Sequence, residues 1–441
     1  MLAAFKQAFT TPDLRRKLLF SLFIMALFRL GSVIPSPGVS MRNVRQCIGQ
    51  SQDAGLVSLI NIFSGGALLQ LSIFALGIMP YITASIIIQL LRVVIPRFET
   101  LHKEGQSGQA KLTQYTRYLT IGLGLLQSST IVATAANGQL FRGCTVPVVP
   151  DHSILAMTMM VVTMTAGTGL IMWLGELITE HGMGNGMSLL IFTSIVARFP
   201  QNMWSIIGGN GGFGKFAVVL ALVLAATLAV VFVEQATRRI PVQYAKRMVG
   251  SRLMGGSSTY IPIKINMSGV IPVIFASSIL ALPQLVSQFG NQRAGWVQWI
   301  GRNLGPTDTF YISVYAVLIL FFTFFYTAIT FDTKEVADNM KKYNGFIPGI
   351  RAGEPTERYL SYVVNRITTA GSIYLVVLAL LPTIAVAAMG LGSTLPFGGT
   401  TILIMVGVGL QTKLTLNSNN DTTRDSCHEC THGSAWSSRG R

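Results

Sequence analysis

Residues 64–91 read SGGALLQLSIFALGIMPYITASIIIQLL. Four small residues, Ser64 to Ala67, open the stretch, and an apolar run follows from Leu68 to Leu76. Gly77 and Pro80 interrupt it before a second apolar run, Ile82 to Leu91. The whole is longer than the ~20 residues that cross a bilayer, and a Gly/Pro break in such a stretch predicts two half-helices. The first half is too short to cross, so it is expected to enter and stop. Irregular backbone at that depth must be enclosed by protein or line a cavity. A re-entrant element that fills a cavity is a gate or a plug.

The rest of the chain agrees with a membrane setting. Half of the 441 residues are hydrophobic and only 11% are charged, against roughly 25% in a soluble domain. Apolar runs bounded by charge or Gly/Pro clusters predict ten spans, near 18–34, 68–93, 115–135, 154–174, 184–197, 214–233, 268–287, 310–330, 368–388 and 397–412. The fifth and tenth are short. Leu18 to Ile34 follows Arg15, Arg16 and Lys17 as in a signal peptide, but Pro35-Ser36-Pro37-Gly38 replaces a small-x-small cleavage site, so it is read as the first span.

The net charge of +16 could signal nucleic acid, so its distribution decides. With a cytosolic N-terminus, basic residues crowd the N-terminal arm, the 2/3 loop, the 6/7 loop (237–267) and the 8/9 loop (331–367), and are sparse outside. That is the positive-inside pattern. The 6/7 and 8/9 loops are longer than topology requires. The 8/9 loop mixes Asp332, Glu335, Asp338, Glu354 and Glu357 with its basic residues, which reads as a structured protrusion offered to a cytosolic partner. Arg238-Arg239-Ile240-Pro241 and Tyr244-Ala245-Lys246-Arg247 form a basic stretch suited to RNA, lipid headgroups or an acidic protein surface.

Inside the spans, what is missing narrows the function. Arg29 lies toward the end of span 1, and Glu176, Glu180 and His181 close span 4, but no Asp, Lys or His sits mid-span. An ion-coupled carrier needs such groups. No nucleophile, metal cluster or acid pair suggests an enzyme. The four cysteines, Cys47, Cys144, Cys427 and Cys430, form no disulfide framework. Cys47 and Cys144 could pair if both lie outside, but are read as small apolar residues. Gly269, Pro272, Ala276, Ser277 and Ser278 let span 7 approach another helix closely. Five spans per half imply two halves inserted in opposite orientations, with a cavity at their interface. The expected fold is therefore an all-α polytopic membrane protein of ten transmembrane helices in two pseudo-symmetric inverted halves. Its parts are a cytosolic arm (1–17), a first half (18–197), a second half (198–412) and a tail (413–441).

Ile62-Phe63-Ser64-Gly65-Gly66-Ala67 with Ser72 to Gln89 resembles the signature of the SecY family, the channel-forming subunits of the bacterial Sec protein translocase. The likeness runs in order through Gln114-Tyr115-Thr116-Arg117-Tyr118, Trp173-Leu174-Gly175-Glu176, Gly184-Asn185-Gly186, Val270-Ile271-Pro272, Pro348-Gly349-Ile350-Arg351 and Phe397-Gly398-Gly399-Thr400. The resemblance implies a passive conduit for unfolded secretory proteins that also releases signal sequences and membrane segments sideways into lipid. It assigns a plug near 64–75, including Ser64, Gly65, Gly66, Ala67 and Leu68. It assigns an apolar pore ring of Ile78, Ile82, Ile191, Ile274, Ile279 and Ile404, which can fit around a moving chain and resist water. Thr83, Gln127 and Asn266 fall at polar positions of the lateral gate. Arg351, Arg252, Lys246 and Arg247 fall on the surface that docks the motor ATPase SecA and the ribosome. The implied partners are SecE and SecG, with SecD/SecF and a YidC-type insertase in support. The implied location is the bacterial plasma membrane, and no cofactor is implied.

The tail Lys413–Arg441 departs from the family. Cys427-His428-Glu429-Cys430-Thr431-His432 holds two cysteines and two histidines of ligand type, but their close spacing would strain a tetrahedral zinc site. A reading-frame shift near residue 412 accounts for the tail better, and it is expected to be disordered and to hold no site.

Overall fold

The computed structural model describes residues 12–50, 64, 66–68, 70–136, 138, 148–150, 153–208, 212–244, 247–249, 252–254, 258–289, 295, 299, 308–343, 345–388, 401–410 and 412. The chain divides into two compact units, Met1–Gly208 with Ile404–Arg441, and Gly209–Leu403. The first carries α1 (Pro12–Gly31), α2 (Met41–Gln50), α3 (Met79–Val94), α4 (Pro96–Lys103), α5 (Gln106–Ala136), α6 (Ile154–His181) and α7 (Gly186–Gly208). The second carries α8 (Gly212–Gln235), β1 (Thr237–Tyr244), β2 (Arg247–Val249), β3 (Arg252–Met254), β4 (Ser258–Lys264), α9 (Ile271–Phe289), α10 (Thr309–Thr330), α11 (Thr333–Lys342), β5 (Gly345–Phe346) and α12 (Glu354–Ala388). A last helix, α13 (Thr401–Leu410), crosses the division.

Each of the ten apolar runs overlaps one of these helices. Among the described residues, Gln106–Ala136, Ile154–His181, Phe216–Gln235, Thr309–Lys342 and Glu354–Leu381 are long and apolar enough to cross a membrane. Gly186–Pro200, Ile271–Leu280 and Thr401–Leu410 are shorter apolar helices. The membrane setting explains what they expose. Phe232 is 79% exposed and Leu228 70% exposed on α8, a helix apolar on every side, as expected of a lipid-facing span. Several hydroxyls inside the helices are satisfied locally: Thr116, Thr120, Thr168 and Thr323 each donate to the carbonyl four residues earlier, at 2.6–3.1 Å.

The structure corrects three expectations. Pro80 does not break a helix: it occupies the first turn of α3, where its missing N–H costs nothing. The sharp bend lies at Pro96, where Ile95 is forced to extended backbone and α3 and α4 meet at 98°. Among the described residues, the first half of the broken span is accordingly no half-helix: turns cover 66–68, 70–71 and 73–78, with a bridge at Ser72. The fifth span continues as helix to Gly208 despite Pro200, beyond the expected limit near 197. Cys47 is fully buried and disulfide-bonded rather than a free small apolar residue; Cys144 lies outside the described residues. A bridge needs only a short separation in space, which sequence distance does not report.

The second unit adds a sheet that joins the two long loops. β1 and β4 form a long antiparallel ribbon with Thr237 opposite Lys264 and Gln243 opposite Ser258. β5, from the 8/9 loop, pairs on the other edge of β1, with Gln243 opposite Phe346. The two long loops are therefore one folded platform. Its apolar core comprises Ile240, Val242 and Ile263 from the ribbon with Met340, Ile347, Leu360, Val363 and Val364. Alternation along β1 sends Ile240 and Val242 inward and Arg239, Pro241 and Gln243 outward. Asp332 caps α11 by accepting from the backbone N–H groups of Lys334 and Glu335.

Candidate functional site

The turn segment Ser64–Ile78 occupies the interior of the first unit. Leu68, Leu71, Ala75 and Leu76 pack with Val44 and Cys47 of α2, Ile131, Val132 and Ala135 of α5, Val148, Val149, and Met160 and Met164 of α6. Its backbone is accounted for by short bonds. Ser64 Oγ accepts from Leu68 N–H at 3.2 Å, and Leu71 N–H donates to the Leu68 carbonyl. Leu71 O accepts from Ser36 N–H at 2.9 Å, and Ile73 N–H donates to Ile34 O at 3.0 Å, so the segment pairs with the chain leaving α1. Phe74 stacks on Phe28 with ring centroids 5.8 Å apart. The irregular backbone of this segment is thus enclosed by protein.

Two glycines allow this enclosure. Gly66 has φ +89° and lies against the Arg198 guanidinium of α7, where a Cβ would collide with it. Gly167 of α6 lies against the carbonyl oxygen of Ile73, so any side chain there would strike backbone. Sequence reasoning did not single out Arg198, because its proximity to Gly66 has no local signal. Of the plug residues, Ser64, Gly66, Ala67 and Leu68 are all buried here; Gly65 lies outside the described residues.

The ring residues divide between the units. Ile78 immediately precedes α3, and its carbonyl accepts from Ile82 N–H at 3.1 Å, which puts both on one helical face. Ile78, Ile191 of α7 and Ile404 of α13 are buried, and Ile82 is half-buried. In the second unit, Ile274 of α9 is buried whereas Ile279 is exposed. The gate positions are similarly divided. Thr83 donates to Met79 O at 3.0 Å within its own helix, and Gln127 is half-buried on α5. Asn266 is buried, and its Nδ2 donates to Glu234 Oε1 at 2.7 Å and to Gly269 O at 3.2 Å.

On the platform, Arg351 is exposed in a turn between Gly349 and Gly353, both at positive φ. Its carbonyl accepts from Thr356 Oγ1 at 2.8 Å, which fixes the turn on the start of α12. Arg247 and Arg252 lie on the small β2–β3 pair; Lys246 lies outside the described residues, as does the Cys/His cluster of the tail. Among the described residues, no group of acidic, His or Cys side chains could hold a metal.

A further pair escaped sequence reasoning. Arg117 of α5 donates from Nε and Nη2 to both oxygens of Glu176 on α6, at 2.8 and 2.7 Å. This bidentate clamp ties the two helices at the basic end of the bundle. Both residues were visible, but a separation of 59 positions offers no periodic clue.

The SecY family model matches residues 72–413. A relative from Streptomyces coelicolor, named protein translocase subunit SecY, is 60% identical over 419 residues, covering 93% of this chain and 96% of the relative. The fold is similar to that in the solved "structure of a protein conducting channel", with TM-score 0.60 and 19% identity over 92% of each chain. It is also similar to Sec61 in the canine ribosome-channel complex, with TM-score 0.56, 18% identity and 92% of each chain covered. The ten-helix, two-halved architecture is that of this fold. By matched length and by identity, the chain belongs to the SecY family.

Proposed function

We propose that the chain is the protein-conducting channel of a Sec translocase, with no chemistry of its own. The observation that carries this reading is the buried turn segment Ser64–Ile78, an irregular stretch enclosed by helices that runs directly into the Ile78–Ile82 face of α3. A segment built from single turns and packed by small contacts can leave its seat at lower cost than a helix with a continuous bond ladder. It is read as the plug, with Ile78, Ile82, Ile191, Ile274, Ile279 and Ile404 as the constriction and Thr83, Gln127 and Asn266 as the lateral gate.

The platform is the docking face. Its outward residues, Arg239 stacked over Tyr260 with 4.9 Å to the ring centroid, and the exposed Arg351, suit an acidic protein surface or RNA phosphates. SecA and the ribosome are the proposed occupants, SecE and SecG the companion subunits, and SecD/SecF and a YidC-type insertase accessory partners. The basic loops support a cytosolic N-terminus and platform, and the proposed location is the bacterial plasma membrane.

The test is reconstitution. Vesicles containing the chain with SecE and SecG receive SecA, ATP and an unfolded secretory precursor. The expected result is precursor protected from external protease. Equal protection in vesicles that lack the chain would overturn the reading.

A further inference from the structure

The junction between the turn segment and the chain leaving α1 carries a flaw that the channel reading does not use. Among the described residues, five buried side-chain atoms have no hydrogen-bond partner, and two of them, Ser36 Oγ and Ser72 Oγ, lie at this junction. Ser36 is 2% exposed and Ser72 is fully buried. Their backbones are satisfied. Ser36 N–H donates to Leu71 O at 2.9 Å, Ser72 N–H donates to Ala67 O at 3.0 Å, and Ser72 O accepts from Ala75 N–H at 3.0 Å. Only the hydroxyls are orphaned, and the cause is local. A serine inside a helix can return its hydrogen to the carbonyl one turn back, as Ser194 does to Leu190 O at 3.0 Å. Ser72 lies among turns, and opposite it stands Pro35, which has no N–H to offer. Ser36 follows that proline, beyond the end of α1.

We infer that Ser36 and Ser72 are release residues of the plug: their buried, unpaired hydroxyls hold the seated segment close to the point of leaving. This rests on the reading of Ser64–Ile78 as the plug. An orphaned hydroxyl costs free energy only while it is buried. When the segment leaves its seat, both groups meet water and the penalty is recovered. The seated state is thus weakened while the apolar packing of Leu68, Leu71, Ala75 and Leu76 is kept. Ser64, in the same segment, has the opposite character. Its Oγ accepts from Leu68 N–H at 3.2 Å, so it helps to hold the seat. The same substitution therefore has opposite signs at neighbouring serines.

The experiment measures ion conductance of the purified full complex in planar bilayers. Ser64→Ala removes the acceptor of Leu68 N–H and should raise conductance about fivefold. Adding Ser72→Ala to Ser64→Ala, or to the leaking Gly167→Val, removes an orphan and should lower conductance about fivefold or more. Ser36→Ala should do the same in either background. A general loss of fit would raise conductance instead. Conductance that is unchanged or higher on adding either alanine, in a background that leaks, would overturn the inference for that serine and leave the plug reading intact. If neither Ser64→Ala nor Gly167→Val leaks, the plug reading fails and the inference with it.

Discussion

Replacing Gly167 by valine is expected to unseat the Ser64–Ile78 segment and open a leak in the resting channel. The Cβ would land against the carbonyl oxygen of Ile73, and backbone has no rotamer through which to give way. Relief requires that α6 or the segment move. The helix is held by its own bond ladder and by the Arg117–Glu176 clamp, whereas the segment is held by single turns. Overpacking of this kind costs about 1–3 kcal/mol, which shifts the seated population by roughly 5- to 150-fold. Ion conductance of the purified complex in planar bilayers is therefore expected to rise about tenfold. Gly169→Val is the control: two positions along the same helix, a Cβ there meets nothing within 4 Å, and conductance should stay at the parent level. Equal leakage from both variants would mean that the segment does not seal the channel.

Leu360→Ala is expected to loosen both long loops at once. Leu360 is fully buried in α12, in the core that β1 and β4 share with the 8/9 segment. Truncating a buried leucine costs about 2–5 kcal/mol. Because the core is shared, the loss falls on the ribbon as well as on the Arg351 turn. Limited proteolysis should cut both 237–264 and 333–350 faster, and SecA binding to the complex should weaken by about tenfold or more. Arg351→Ala provides the contrast: an exposed side chain removed from an intact turn should weaken binding without changing proteolysis. If Leu360→Ala left the ribbon as resistant as the parent, the two loops would be independent.

How much of this was legible in the sequence depended on whether the determinant was local. The spans were legible because a bilayer imposes a length and an apolar composition that few side chains can disguise. The charge asymmetry of the loops was legible for the same reason. The break in span 2 was visible but misassigned. Gly77 and Pro80 draw the eye, yet a proline in the first turn of a helix is harmless, and it was Pro96, beyond the apolar run, that bends the chain. The platform was half legible. The mixed charges of 331–367 pointed to structure, but β5 is only two residues long and pairs with a strand about a hundred positions earlier. The Glu234–Asn266 bond, the Arg117–Glu176 clamp and the Gly66–Arg198 contact were illegible. Each joins residues far apart in sequence, where neither helical nor strand period carries information. The pore, gate and docking residues came from family resemblance, since an isoleucine in a span has the same periodicity whether it faces lipid, core or a passage.

The central claim is that polypeptide passes the isoleucine faces of α3 and α9. It is tested most directly by stalling a secretory precursor in the reconstituted complex and probing single cysteines, in a background without the native ones, at Ile82, Ile274 and the outward-facing Phe232. The account predicts crosslinks to the precursor at Ile82 and Ile274 and none at Phe232. Crosslinks absent from both isoleucine positions, with others formed elsewhere in the bundle, would contradict it.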